Sequence, residues 1–146
     1  MATIREVLNN VKSFNLTNAA MDVVSENKEK LIDIQNRRLT TKGHGKDDTK
    51  LRPYRNKRYE IYKHEMNPLP GLGVPDLKLR GDYLNASYVN VLGNGAFEMG
   101  SNDGKEAKLR EMYGPNLGLS DNDKQAAVDE FFYEGLLDKV HEGMKL

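Results

Sequence analysis

Tyr83-Leu84-Asn85-Ala86-Ser87-Tyr88-Val89-Asn90-Val91-Leu92-Gly93-Asn94-Gly95-Ala96-Phe97-Glu98-Met99-Gly100 is the stretch whose pattern decides the fold. Aromatic and β-branched residues from Tyr83 to Val91 predict a strand, and Leu92-Gly93-Asn94-Gly95 is a glycine-rich turn suited to a hairpin. Ala96–Gly100 is the return strand, with Phe97 and Met99 on one face, and Asp103-Gly104 ends it.

Downstream of the hairpin the period changes to that of a helix. Residues 105–113 carry Leu109 and Met112 on one side, and Gly114-Pro115-Asn116-Leu117-Gly118 breaks the run. Ser120 is a good N-cap, and Asp123 three residues later makes a capping-box-like pair. Asp121 and Asp123 also suit the positive end of the helix dipole. Val128, Phe131, Phe132, Leu136, Val140 and Met144 are expected to run down one face into the core.

Upstream, residues 40–77 hold four prolines and four glycines and show no periodicity. An irregular segment of that length is uncommon inside a compact domain unless it binds something. A short helix at Tyr59–Lys63, anchored by Tyr59 and Tyr62, is expected within it. The rest is expected to be mobile until a neighbour covers it, because its few apolar residues cannot offset roughly 1–2 kcal/mol per residue of backbone ordering. Before it, Leu16, Ala20, Val23, Asn27, Leu31, Ile34 and Arg38 draw a narrow stripe along one helix. Asn15 or Thr17 caps its start, and Ser13-Phe14-Asn15 separates it from a shorter helix at 3–12. The fold expected is α+β: one domain over 1–146, with a helical arm (1–39), an extended basic loop (40–77), and a small antiparallel hairpin (83–100) with C-terminal helices (78–146).

Composition narrows the function. The chain has 146 residues, 38% apolar and 30% charged, so its core is modest and its connections polar. Lysine plus arginine and aspartate plus glutamate are each 22, which leaves no overall basic footprint for nucleic acid. There is no cysteine, as suits a protein made in a reducing cytoplasm. Met1–Asn10 lacks the apolar core of a signal peptide, and no run is long enough for a membrane span. His44, His64 and His141 are isolated, and His64-Glu65 fails as a zinc motif because the fifth position is Pro68. Gly71-Leu72-Gly73 lacks the third glycine of a dinucleotide fingerprint, Arg80-Gly81-Asp82 is a chance tripeptide, and Asp47-Asp48 is a loop pair. No catalytic residue, metal or cofactor is expected.

Charge is segregated. Residues 37–63 hold ten basic and three acidic side chains, a local charge of +7, whereas 121–146 hold seven acids and three lysines, a charge of −4. The plainest explanation is a solvated loop and a solvated helix face. A sharper one is a head-to-tail ring, with Arg37, Arg38, Lys50, Arg52, Arg55, Lys57 and Arg58 of one copy facing Asp129, Glu130, Glu134 and Asp138 of the next. A third is that the basic segment 37–63 grips DNA, making the chain a small cytoplasmic nucleic-acid-binding module.

Two stretches carry a resemblance. Leu77-Lys78-Leu79-Arg80-Gly81-Asp82-Tyr83-Leu84-Asn85-Ala86-Ser87 resembles the L-x-x-T-G-x-L/F-x-x-S signature of tail-completion and virion-morphogenesis proteins of tailed phages. Met112-Tyr113-Gly114-Pro115-Asn116-Leu117-Gly118-Leu119-Ser120-Asp121-Asn122-Asp123 resembles that family's R-P-F-L-G-L-S-x-x-D ahead of a C-terminal helix. Leu31–Asn36, Leu51–Tyr54 and Tyr59–Lys63 look like proteins of phages of Bacteroidetes hosts, crAss-like phages included. Arg80 stands where threonine is usual, and Gly114-Pro115-Asn116-Leu117 replaces arginine and phenylalanine. The retained residues are Gly81, Ser87, Pro115, Gly118 and Ser120. The resemblance implies a non-catalytic head–tail connector: a ring of six or twelve copies in the virion neck or tail, made in the host cytoplasm. Its partners would be portal, neck or tail proteins and passing DNA, with no membrane.

Overall fold

The computed structural model describes residues 3–78 and 81–145. Leu79 and Arg80, within the first resemblance, lie outside them. The chain is a mostly helical α+β protein with one two-stranded antiparallel hairpin between N-terminal and C-terminal helices. In chain order the elements are α1 (Ile4–Ser13), α2 (Leu16–Glu26), α3 (Lys28–Arg37), α4 (Lys57–Met66), α5 (Asp82–Asn85), β1 (Ser87–Val91), β2 (Phe97–Ser101), α6 (Glu106–Tyr113), α7 (Asp121–Ala127) and α8 (Tyr133–Met144). A π-helical turn extends α3 over Arg38–Lys42, and another joins α7 to α8 over Val128–Phe132.

Local chemistry accounts for the helix starts. Thr3 and Glu6 form a capping box on α1, Asn15 accepts from the Asn18 N–H, and Ser120 and Asp123 form the capping box expected at α7. The single helix expected over 16–38 is interrupted at Asn27, whose side-chain amide donates to the Val23 carbonyl at 2.7 Å. Thr40 Oγ1 donates to the Asn36 carbonyl at 2.7 Å and Thr41 Oγ1 to that of Arg37, back-bonds that accompany the widened π turn.

β1 pairs with β2 from Ser87↔Ser101 to Val91↔Phe97, so the hairpin starts later than expected. Tyr83 is not in the strand. Gly81, at φ +82, opens the α5 turn, and the Asn85 and Ala86 N–H groups donate to the Gly81 and Asp82 carbonyls. That turn sends Tyr83 and Leu84 inward.

Two apolar clusters form the core. Val23, Val24, Leu31, Ile34, Val89, Ala127 and Phe131 make the first, with Phe97, Met99, Phe132 and Leu136 packed against it. Leu39, Leu51, Leu77, Tyr83 and Leu84 make the second. α3 and its π turn supply both, through Leu31 and Ile34 and then Leu39. On the C-terminal side the expected core stripe is corrected by one residue: Val128 is exposed and Ala127 is buried instead. The wide π turn permits an inward series at four-residue steps, Asp123, Ala127 and Phe131.

Residues 40–77 carry more helix and more buried side chains than the sequence suggests. α4 is twice the expected length, and Leu51, Gly73, Pro75, Asp76 and Leu77 are buried. The anchor is polar, which an apolar count misses. Lys63 Nζ sits 2.7 Å from Asp76 Oδ1 and donates to the Lys78 carbonyl, while Asn67 Nδ2 donates to Asp76 Oδ2 and the Thr40 carbonyl.

Candidate functional site

The two stretches that carry the resemblance meet at the C-terminal end of α3. Gln35, fully buried, donates from Nε2 to Ser87 Oγ at 3.3 Å and accepts at Oε1 from the Gly118 N–H at 2.7 Å. Arg38 donates to the Gly118 carbonyl at 2.9 Å, to the carbonyls of His44 and Asn116, and to the Asp123 carboxylate. Tyr83 Oη donates to Asn116 Oδ1, and Ser101 Oγ to the Tyr83 carbonyl at 2.7 Å. Gly118, at φ +107, places both its N–H and its carbonyl on this network. Pro115 lies at the rim, its carbonyl accepting from the Lys46 N–H at 3.0 Å.

Such a cluster holds a shape. Its donors and acceptors satisfy one another, so it specifies one arrangement of α3, α5, β2 and the 114–120 turn. Burial pushes the Tyr83 hydroxyl above its usual range, with Glu106 adding to the effect. Beside the network, desolvation would raise the Asp48 carboxyl, but hydrogen bonds from Ser120 and the Asn122 N–H, with nearby Arg38, outweigh it and hold the group low.

The basic set divides. Arg38 is buried with Asp123 and belongs to the interior, a correction to its place in an outward patch. Arg37 is exposed and pairs with Glu130 of the same chain at 2.7 Å, both side chains well open to solvent. Lys50, Arg52, Arg55, Lys57 and Arg58 are all exposed. Of the acidic set, Asp129 accepts from Gln125 Nε2 at 2.9 Å, whereas Glu134 and Asp138 stand exposed on α8.

Sequence reasoning missed the apolar part of the surface. Tyr62 does not anchor α4; it faces outward with Ile61 and Met66, and Lys63 takes the inward position. Tyr59 packs edge-on against Tyr54, ring centroids 5.2 Å apart. On α8, Tyr133 is 62% and Leu137 40% exposed. On α1, Ile4 is 81% and Leu8 54% exposed along an i, i+4 stripe. A four-residue spacing of apolar side chains beyond those the core needs was the available signal.

A cavity of about 120 Å³ lies between Tyr54, Tyr59, Leu77, Tyr83, Leu109 and Tyr113, with Lys63, Lys78, Asp82 and Lys105 also around it. It is large enough for one apolar side chain. Among the described residues no group of three or more histidines and carboxylates could hold a metal ion, and no helix is long and apolar enough to cross a membrane. No protein-family model, curated protein or solved structure matches this chain.

Proposed function

We propose that this chain is a structural subunit of a tailed-phage particle, one copy of a ring at the neck or tail that completes the joint between head and tail. The observation that carries the reading is the apolar surface on the three helices α1, α4 and α8, with Ile4, Ile61, Tyr62, Met66 and Tyr133 open to solvent. Apolar side chains grouped on the outward face of a helix mark a protein contact more often than chemistry. The link from Ser87 through Gln35 to Gly118 adds support, because it joins a retained residue of one resembling stretch to a retained residue of the other. The ring would surround the DNA channel and carry no catalysis. Mass photometry of the purified chain, alone and with adjoining neck proteins, tests this. Discrete multimers are expected, and a chain that stays monomeric in both conditions contradicts it.

A second reading has its own observation. Lys50, Arg52, Arg55, Lys57 and Arg58 are exposed within nine residues, and none is engaged in an ion pair among the described residues. Such a cluster can contact phosphates, and binding would weaken steeply with salt. Replacing Arg52, Arg55, Lys57 and Arg58 by alanine should abolish DNA binding; binding that ignores the four changes removes this reading.

A further inference from the structure

α4 and α8 each present an unpartnered outward half, and the two halves are opposites. On α4, Lys57, Arg58, Ile61, Tyr62, Glu65 and Met66 share the outward half-turn, opposite buried Lys63. Ile61 is 52%, Tyr62 48% and Met66 60% exposed. Arg55, exposed, precedes the basic end of this face. Phe132, at the end of the π turn, and Gly135 and Leu136 of α8 turn toward the protein, leaving Tyr133 and Leu137 along one outward edge and Glu134 and Asp138 beside them.

The two faces belong to different parts of the molecule. α4 is tied to the 76–78 segment that feeds the second core cluster, whereas α8 packs on α1 and α2 beside the first. One copy's α4 therefore has no α8 of its own against it, and a self-complementary pair lying on separate surfaces makes a head-to-tail contact.

We infer that the outward face of α4 in one copy docks on the outward face of α8 in the next, with Ile61 and Tyr62 against Tyr133 and Leu137 and with Arg55 and Arg58 against Glu134 and Asp138. This rests on the assembly reading above and names its contact. The apolar side chains supply the area removed from water, and the flanking charges set register and encounter rate. Arg37 and Glu130 pair with each other within one copy and are not needed for this contact.

Charge exchange tests the pairing. The variant Arg55→Glu with Arg58→Glu makes both faces acidic; the variant Glu134→Lys with Asp138→Lys makes both basic. Each alone should associate about 100-fold more weakly than the parent chain in sedimentation velocity at ~0.1 M salt, since like charges across a contact cost several kcal/mol. Mixed in equal amounts, the two variants restore unlike pairs at every junction, and multimers should return. A single chain with all four exchanges should also assemble. If the parent chain forms multimers and the variants do so equally well, or mixing restores nothing, this contact is wrong while the assembly reading stands. If the parent chain is monomeric at high micromolar concentration, alone and with adjoining neck proteins, both fall.

Discussion

Arg37 and Arg38 are neighbours with identical side chains, and their replacement should have very different costs. Arg38 is 3% and its partner Asp123 8% exposed in their side chains, while Arg37 and Glu130 are 57% and 44% exposed. Arg38→Met strands the Asp123 carboxylate in the interior and removes the donor from the carbonyls of His44, Asn116 and Gly118. Removing one partner of a buried pair costs about 3–5 kcal/mol, and the carbonyls share that guanidinium, so their losses do not add fully. A total of about 4–6 kcal/mol is expected, a large part of the roughly 5–15 kcal/mol available to a domain of this kind. Arg37→Met should cost at most ~1 kcal/mol. Urea unfolding followed by circular dichroism would show the midpoint of Arg38→Met falling by ~1.3 M or more, taking a slope of about 1–3 kcal/mol per M. Adding Asp123→Asn should recover part of the loss, because the stranded charge is gone. If Arg38→Met unfolds within about 1 kcal/mol of Arg37→Met, the buried network is not what holds α3 to the 116–123 segment.

Lys63→Met should destabilise by about 3 kcal/mol, because Asp76 is left unpaired in the interior. In hydrogen exchange the α4 amides should then lose protection before those of α3; simultaneous loss argues against the polar anchor. Gly43→Ala should cost about 2 kcal/mol or more, since the position lies at φ +63 and a Cβ there would sit 2.3 Å from Val74 Cγ1 and 2.6 Å from the Pro75 carbonyl oxygen. Thermal unfolding temperatures would report it, and an unchanged value contradicts the packing of 70–75 on the π turn. Burial raises the Tyr54 and Tyr83 hydroxyls above their ordinary value of 10.0, so the folded state keeps protons that the unfolded state releases. Stability should therefore hold below pH ~10 and fall as pH rises beyond it, less so in Tyr54→Phe; identical alkaline profiles for parent and variant contradict this.

The parts of the fold legible in the sequence are those fixed by short-range chemistry. The Leu92–Gly95 turn, the strands around it and the Ser120–Asp123 capping box depend on residues within a few positions of one another. Tyr83 shows where that fails. Its local propensity is for strand, but the bond from its hydroxyl to Asn116, 33 residues away, goes with an inward turn. Arg38 was legible in part, because it ends the apolar stripe of residues 16–38, and an arginine at such a position reads as buried if a carboxylate can reach it. Asp123 is that carboxylate, and no spacing rule links positions 85 residues apart. Within residues 40–77 the contacts of Lys63, Asn67 and Asp76 were not legible, because a count of apolar residues does not register charge and hydrogen bonds. The exposed faces of α4 and α8 were read as charge alone; their apolar spacing gives no direction by itself, since the inward side of α4 is set by Lys63 rather than by a hydrophobic residue.

The proposal that this chain builds a joint in a virion is tested most directly by counting its copies in gradient-purified particles with isotope-labelled peptide standards. Six or twelve copies per particle, in fixed ratio to the portal, are expected. Particles that lack the chain, with all of it recovered as free protein from the same lysate, would contradict the assignment.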